Sequence, residues 1–236
     1  PGGRVMLWKR LMVVWVAVLL LAQLAGAASP EDALLAKLRA LGPQARAKTV
    51  QAMAAVKNPH LVRPLVALLA DADTPFATMT KINGVTYLNV LTTALRGYGD
   101  AAVTPLVDVL GTVKSGSKRA LLIAALADTG SQRAIRPLMD LVRRAPAGEV
   151  RGLEAERVGA ALRKFGDPGM KALVTLLREL PDDRWACIAL CRSLLDSGSR
   201  AMAYLAPLIN DPKVGDYARW ALQEIGPQVV PLTISL

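Results

Sequence analysis

Ala161-Leu162-Arg163-Lys164-Phe165-Gly166-Asp167-Pro168 reads as a corner between two helices. Apolar residues run up to Gly166, which suits the left-handed position where a helix stops. Asp167 is placed to cap the next helix through its side-chain oxygen. Pro168 fits the first helical position, where no N–H is needed. The same corner recurs. A small residue and a large apolar one lead to a glycine four positions on: Ala94-Leu95 to Gly99, Ala125-Leu126 to Gly130, Ser193-Leu194 to Gly198, Ala221-Leu222 to Gly226. Ala52-Met53 matches with Lys57 in the glycine place. Steps of about 28–42 residues are long enough for two short helices and two turns.

The residues after the glycine column are Asn58, Asp100, Ser131, Asp167, Ser199 and Pro227, and all but the last are good N-caps. A second column follows: Pro64-Leu65, Pro105-Leu106, Pro137-Leu138, Ala172-Leu173 and Pro207-Leu208. Proline would break a long helix there, so a short turn before each proline is expected, with Thr104 as a cap for a start at Pro105. The pattern predicts a leading helix over Glu31–Leu41, then paired helices: Gln44–Val56 with His60–Ala70, Val85–Arg96 with Ala101–Leu110, and Ser117–Asp128 with Gln132–Arg144. Val150–Phe165 pairs with Pro168–Leu180, Asp183–Asp196 with Arg200–Ile209, and Val214–Ile225 with a stub, Gln228–Leu236. The expected fold is all-α, an α-solenoid of about six helical pairs. Excess length between Asp71 and Gly84 is either a loop on a binding face or an insertion without a role.

Of the 236 residues, 53% are hydrophobic and 4% aromatic. That bulk, mostly Ala and Leu, favours close-packed helices over sheet. The first residues form a separate segment. Met6 follows five residues expected to be a non-native leader. Lys9-Arg10, an apolar run from Leu11 to Leu21, and Ala25-Gly26-Ala27 have the three parts of a secretory signal peptide. Residues 1–27 are therefore expected to be removed, leaving a leading helix in 28–43 and a repeat domain over 44–236. The chain is then periplasmic or secreted. The alternative is a membrane anchor over residues 11–28, in which case the chain contacts the membrane. Losing Arg4, Lys9 and Arg10 from the formal +10 leaves +7. A basic exported chain meets acidic protein surfaces, anionic polymers and lipids, and not nucleic acid.

Asp211-Pro212-Lys213-Val214-Gly215-Asp216-Tyr217-Ala218-Arg219-Trp220-Ala221-Leu222-Gln223-Glu224-Ile225-Gly226 resembles a short HEAT-like repeat of the type first associated with bilin lyases, D-x-x-V-R-x-x-A-x-x-A-L-x-x-I-G. Gly215 stands where that pattern has arginine. Pro181-Asp182-Asp183-Arg184-Trp185-Ala186 is a partial match that keeps it. The resemblance covers about Gln44 to the end. It implies a right-handed α-α superhelix with second helices on the concave face.

Function is less legible. One histidine, His60, cannot supply the paired His-Glu motifs of HEAT-like hydroxylases, and bilin lyases work in the cytoplasm. No G-x-S-x-G, P-loop or H-E-x-x-H occurs. The expectation is a non-enzymatic exported scaffold that binds a protein or peptide through its concave face, with no cofactor or metal. The alternative is an envelope lyase-like or enzyme-accessory protein with a small-molecule groove. Aligned second-helix positions gather Arg136, Arg143, Arg144, Lys171 and Arg178 into a basic ridge suited to an acidic partner. Glu154 and Glu156, two apart, read as solvated charges, and Trp185 and Trp220 as packing between repeats. His60 reads as an exposed turn residue, and Asp182-Asp183 as a helix start. Cys187 and Cys191, one turn apart, are about 5–6 Å apart at Cβ, too far for the roughly 3.5–4.5 Å of a disulfide.

Overall fold

The computed structural model describes residues 30–71, 81–82 and 85–224. The expected signal peptide or anchor, most of the 71–84 excess and the final stub lie outside these residues. Among the described residues there are twelve α-helices and one two-residue hairpin. They are α1 (Pro30–Ala40), α2 (Pro43–Val56), α3 (Val62–Asp71), β1 (Lys81–Ile82), β2 (Val85–Thr86), α4 (Tyr87–Arg96) and α5 (Asp100–Thr112). Then come α6 (Gly116–Asp128), α7 (Ile135–Arg144), α8 (Glu149–Arg163), α9 (Asp167–Glu179), α10 (Arg184–Leu195), α11 (Arg200–Leu205) and α12 (Gly215–Glu224). β1 and β2 are antiparallel, with Ile82 opposite Val85.

The glycine column sets the turns. Gly99, Gly130, Gly166 and Gly198 all have φ between +51° and +68°, and Lys57 adopts 51° in the same role. An L side chain is disfavoured there, so glycine at four of these five corners is what the backbone requires. The two apolar columns face the core: Leu95, Leu126, Leu162 and Leu194 are fully buried, as are Leu65, Leu106, Leu138 and Leu173.

Local departures have local causes. Asn58 and Ser131 cap as expected, accepting from the N–H groups of His60 and Arg133. Asp167 does not cap, because α9 starts one residue early with Gly166 as its N-cap. Its carboxylate lies in the first turn, where it suits the helix dipole, and accepts the Tyr204 hydroxyl at 2.9 Å. Asp100 likewise falls inside α5, and Ser199 makes no side-chain cap bond. The expected turns before Pro64 and Pro137 are 3₁₀ helices at Pro59–Leu61 and Gln132–Ala134. Pro105 instead sits inside α5, so Thr104 starts nothing. The one bond lost there is that from position 105 to the Ala101 carbonyl. Pro207 splits the last second helix into α11 and a 3₁₀ turn, Ala206–Leu208. Helix α4 opens at Tyr87, not Val85, because Val85 and Thr86 pair with β1 and Thr86 caps the helix.

The chain divides into two compact units, Pro1–Lys118 and Arg119–Leu236. In the first, α2 packs on α4, and α3 packs on α1, α4 and α5. In the second, α8 packs on α10 and α10 on α12, while α9 packs on α7 and α11. First helices thus touch first helices, and second helices touch second helices.

Candidate functional site

The structure divides the five cations of the basic ridge. Arg143 Nε and Nη2 donate to the two oxygens of Glu179 at 2.8 and 2.9 Å, and Nη1 donates to Asp140 at 2.8 Å. The fork matches a carboxylate in two places. The Glu179 bonds first, then Asp140, raise the guanidinium pKa further. Arg178 Nε donates to Asp211 at 3.3 Å. The Lys213 N–H, more than Arg178, holds the Asp211 carboxyl below its ordinary range. Arg143 and Arg178 therefore tie each second helix to the next repeat. Arg136, Arg144 and Lys171 are exposed, and their side chains make no hydrogen bond or ion pair with another described residue.

On the first-helix side, α8 and α10 run in parallel at close range. Gly152 lies under Trp185, where an added Cβ would come within 2.8 Å of the Trp185 Cβ. One heptad on, a Cβ on Gly159 would come within 2.6 Å of the Ser193 Cβ. Glycine at both positions permits the contact. Outside it lies an open groove of about 730 Å³. Leu153, Glu156 and Arg163 stand on its α8 wall, with Trp185, Arg192 and Asp196 on its α10 wall. Trp185 is only partly the inter-repeat packing residue expected: its backbone and Cβ press on Gly152, yet the residue is 56% exposed. Trp220 is half-buried. A second groove, about 570 Å³, runs beside α1, α3 and α5, with Glu31, Asp32, Arg63 and Asp108 at its edges.

Two carboxylates of the second unit are buried. Glu154 is not the solvated charge expected: it is 4% exposed. It accepts from Arg119 and, at 3.3 Å, from Arg157. Its stripe explains the burial, since Val158 and Leu162 follow at i+4 and i+8 on the core side. A buried carboxylate requires such partners. Asp183, at the expected helix start, accepts from the Ala186 N–H at 3.1 Å as the N-cap of α10. It also accepts from the Gly148 N–H at 3.0 Å and from Arg151 at 3.2 Å. One carboxylate thus joins a cap, the preceding turn and the neighbouring first helix.

Both cysteines are free and buried. Burial pushes each thiol pKa up to about 12, helped at Cys187 by Asp183 and Asp182. Cys187 Sγ lies 3.2 Å from the Leu180 carbonyl, to which it donates. His60 is an exposed turn residue, as expected, with Nδ1 3.2 Å from Glu31. Among the described residues, no group of three His, Cys, Asp or Glu side chains is placed to hold a metal ion, and no helix is long and apolar enough to cross a membrane. No protein-family model and no curated protein sequence matches the chain.

Proposed function

We propose that the chain is a non-catalytic scaffold, a right-handed HEAT-like superhelix that acts outside the cytoplasm and holds a protein or peptide on its second-helix face. The observation that carries this reading is the division of cations on that face. Arg143 and Arg178 are committed to neighbouring repeats. Arg136, Arg144 and Lys171 project without an ion partner among the described residues. Three unpaired cations on α7 and α9 attract an acidic segment at long range and select against a basic one.

An oligo-glutamate peptide tests the face. Its affinity for the chain should fall steeply as salt is raised, since exposed charges are screened beyond about 8–10 Å. The double reversal Arg136→Glu/Lys171→Glu should weaken it about tenfold or more. Reversal at Lys48 and Lys114, exposed cations that belong to neither α7 nor α9, serves as the control. Equal affinities for the two double variants in low salt would remove the face from the reading. Saturable binding of a small neutral ligand, with no response to the acidic peptide, would favour the enzyme-accessory alternative.

A further inference from the structure

The groove between α8 and α10 has a property independent of the basic face: its two walls are complementary to each other. Leu153 on α8 stands near the level of Trp185 on α10, as the Gly152–Trp185 contact fixes. Glu156 on α8 and Arg192 on α10 project within one turn of the same level, and neither makes an ion pair with another described residue. At the far end Arg163 on α8 meets Asp196, the C-cap of α10, at 3.2 Å. Each position thus has an apolar or opposite-charge counterpart on the facing wall. The described chain has four exposed large apolar residues, and two of them, Leu153 and Trp185, line this groove on opposite walls.

We infer that this groove is the interface for a second copy of the same chain, packed about a two-fold axis parallel to the helices. That axis lays α8 of one copy on α10 of the other. Leu153 then meets Trp185 of the second copy and Glu156 meets Arg192, while the internal Arg163–Asp196 pair of each copy closes the far end. The symmetry repeats every contact, as an isologous interface requires. A generic apolar partner would account for Trp185 and Leu153 but not for the opposite, unpaired charges of Glu156 and Arg192 within one turn of each other on the two walls. Helices of this length, about 22 Å for fifteen residues, make a contact at the small end of specific interfaces. The dimer should therefore exchange in the micromolar range.

Sedimentation of the full chain from about 1 to about 100 μM in low salt tests this. The expected result is a rise from one chain to two. Trp185→Ser, which keeps the Cβ against Gly152, should weaken the dimer about tenfold or more without changing the helical signal. Glu156→Lys alone and Arg192→Glu alone should each weaken it, because like charges then face each other twice. Mixing these two variants restores both pairs in the heterodimer, so the mixture should regain the two-chain mass. Association driven by the apolar run Leu11–Leu21 would respond to none of these changes. A chain that stays monomeric throughout, a dimer indifferent to Trp185→Ser, or a mixture that fails to recover would each overturn the inference.

Discussion

Glu154 shows what one buried charge requires of its surroundings. Replacing it with alanine leaves Arg119 and Arg157 without their carboxylate. Both guanidiniums are partly exposed, so water recovers some of the loss. The expected cost is about 2 kcal/mol, read as a lower urea midpoint with an unchanged slope, whereas the exposed Glu156→Ala should stay within about 0.5 kcal/mol in dilute solution. Equal midpoints for the two variants would contradict the burial of Glu154. The thiols make a pH-dependent prediction. Each has a folded pKa near 12 against about 8.5 for an unperturbed thiol. Between those values the unfolded chain has lost protons that the folded chain retains. Stability is therefore intact below about pH 8.5 and falls as pH rises towards 12. Replacing both cysteines with alanine should flatten the alkaline limb of a stability–pH curve, and an unchanged limb would mean that the thiols are not buried as described.

Helix α8 owes its place to two glycines seven residues apart. Gly159→Ala would drive a methyl group into Ser193, which is buried and donates its hydroxyl to the Ala189 carbonyl. The expected cost is about 1–3 kcal/mol from overpacking. Gly159→Ala combined with Ser193→Gly should recover part of it, because the obstructing Cβ is gone. No recovery in the thermal midpoint would show that α8 and α10 do not meet there. This element also marks the limit of sequence reading. The heptad spacing of Gly152 and Gly159 is visible in the chain, and so is the stripe that carries Glu154 with Val158 and Leu162. Beside Glu156 alone Glu154 looks solvated; only Val158 and Leu162 reveal its core-facing stripe. The facing residue Ser193 is not visible, since it depends on how far one repeat is turned against the next. The corners were legible because each needs a particular backbone angle, and glycine announces that angle locally. The caps were less so, since a helix that opens one residue early turns a cap into a first-turn residue, as at Asp167.

Across the second unit, polar links recur at about the repeat length: Arg119 with Glu154, Arg151 with Asp183, Arg143 with Glu179, Arg178 with Asp211. Individually the exposed ones contribute little, about 0–1 kcal/mol each. The basic residues fall in aligned columns and their acidic partners do not. Glu179 and Asp211 lie outside the aligned columns, so a ridge that looked continuous is largely neutralised at Arg143 and Arg178. What survives of the candidate face is three residues of the five.

The ends of the first helices carry one more regularity. Two positions after the core leucine stand Asp128, Lys164 and Asp196 in successive repeats. Lys164 reaches back to Asp128 at 2.6 Å, while its neighbour Arg163 reaches forward to Asp196 at 3.2 Å. The middle repeat is cationic at this edge and both its neighbours are anionic. A copy of that repeat stacked on itself would set Lys164 against Lys164, with no carboxylate between them. The three edges alternate in sign and so avoid such a seam of like charge, although each exposed pair contributes only about 0–1 kcal/mol.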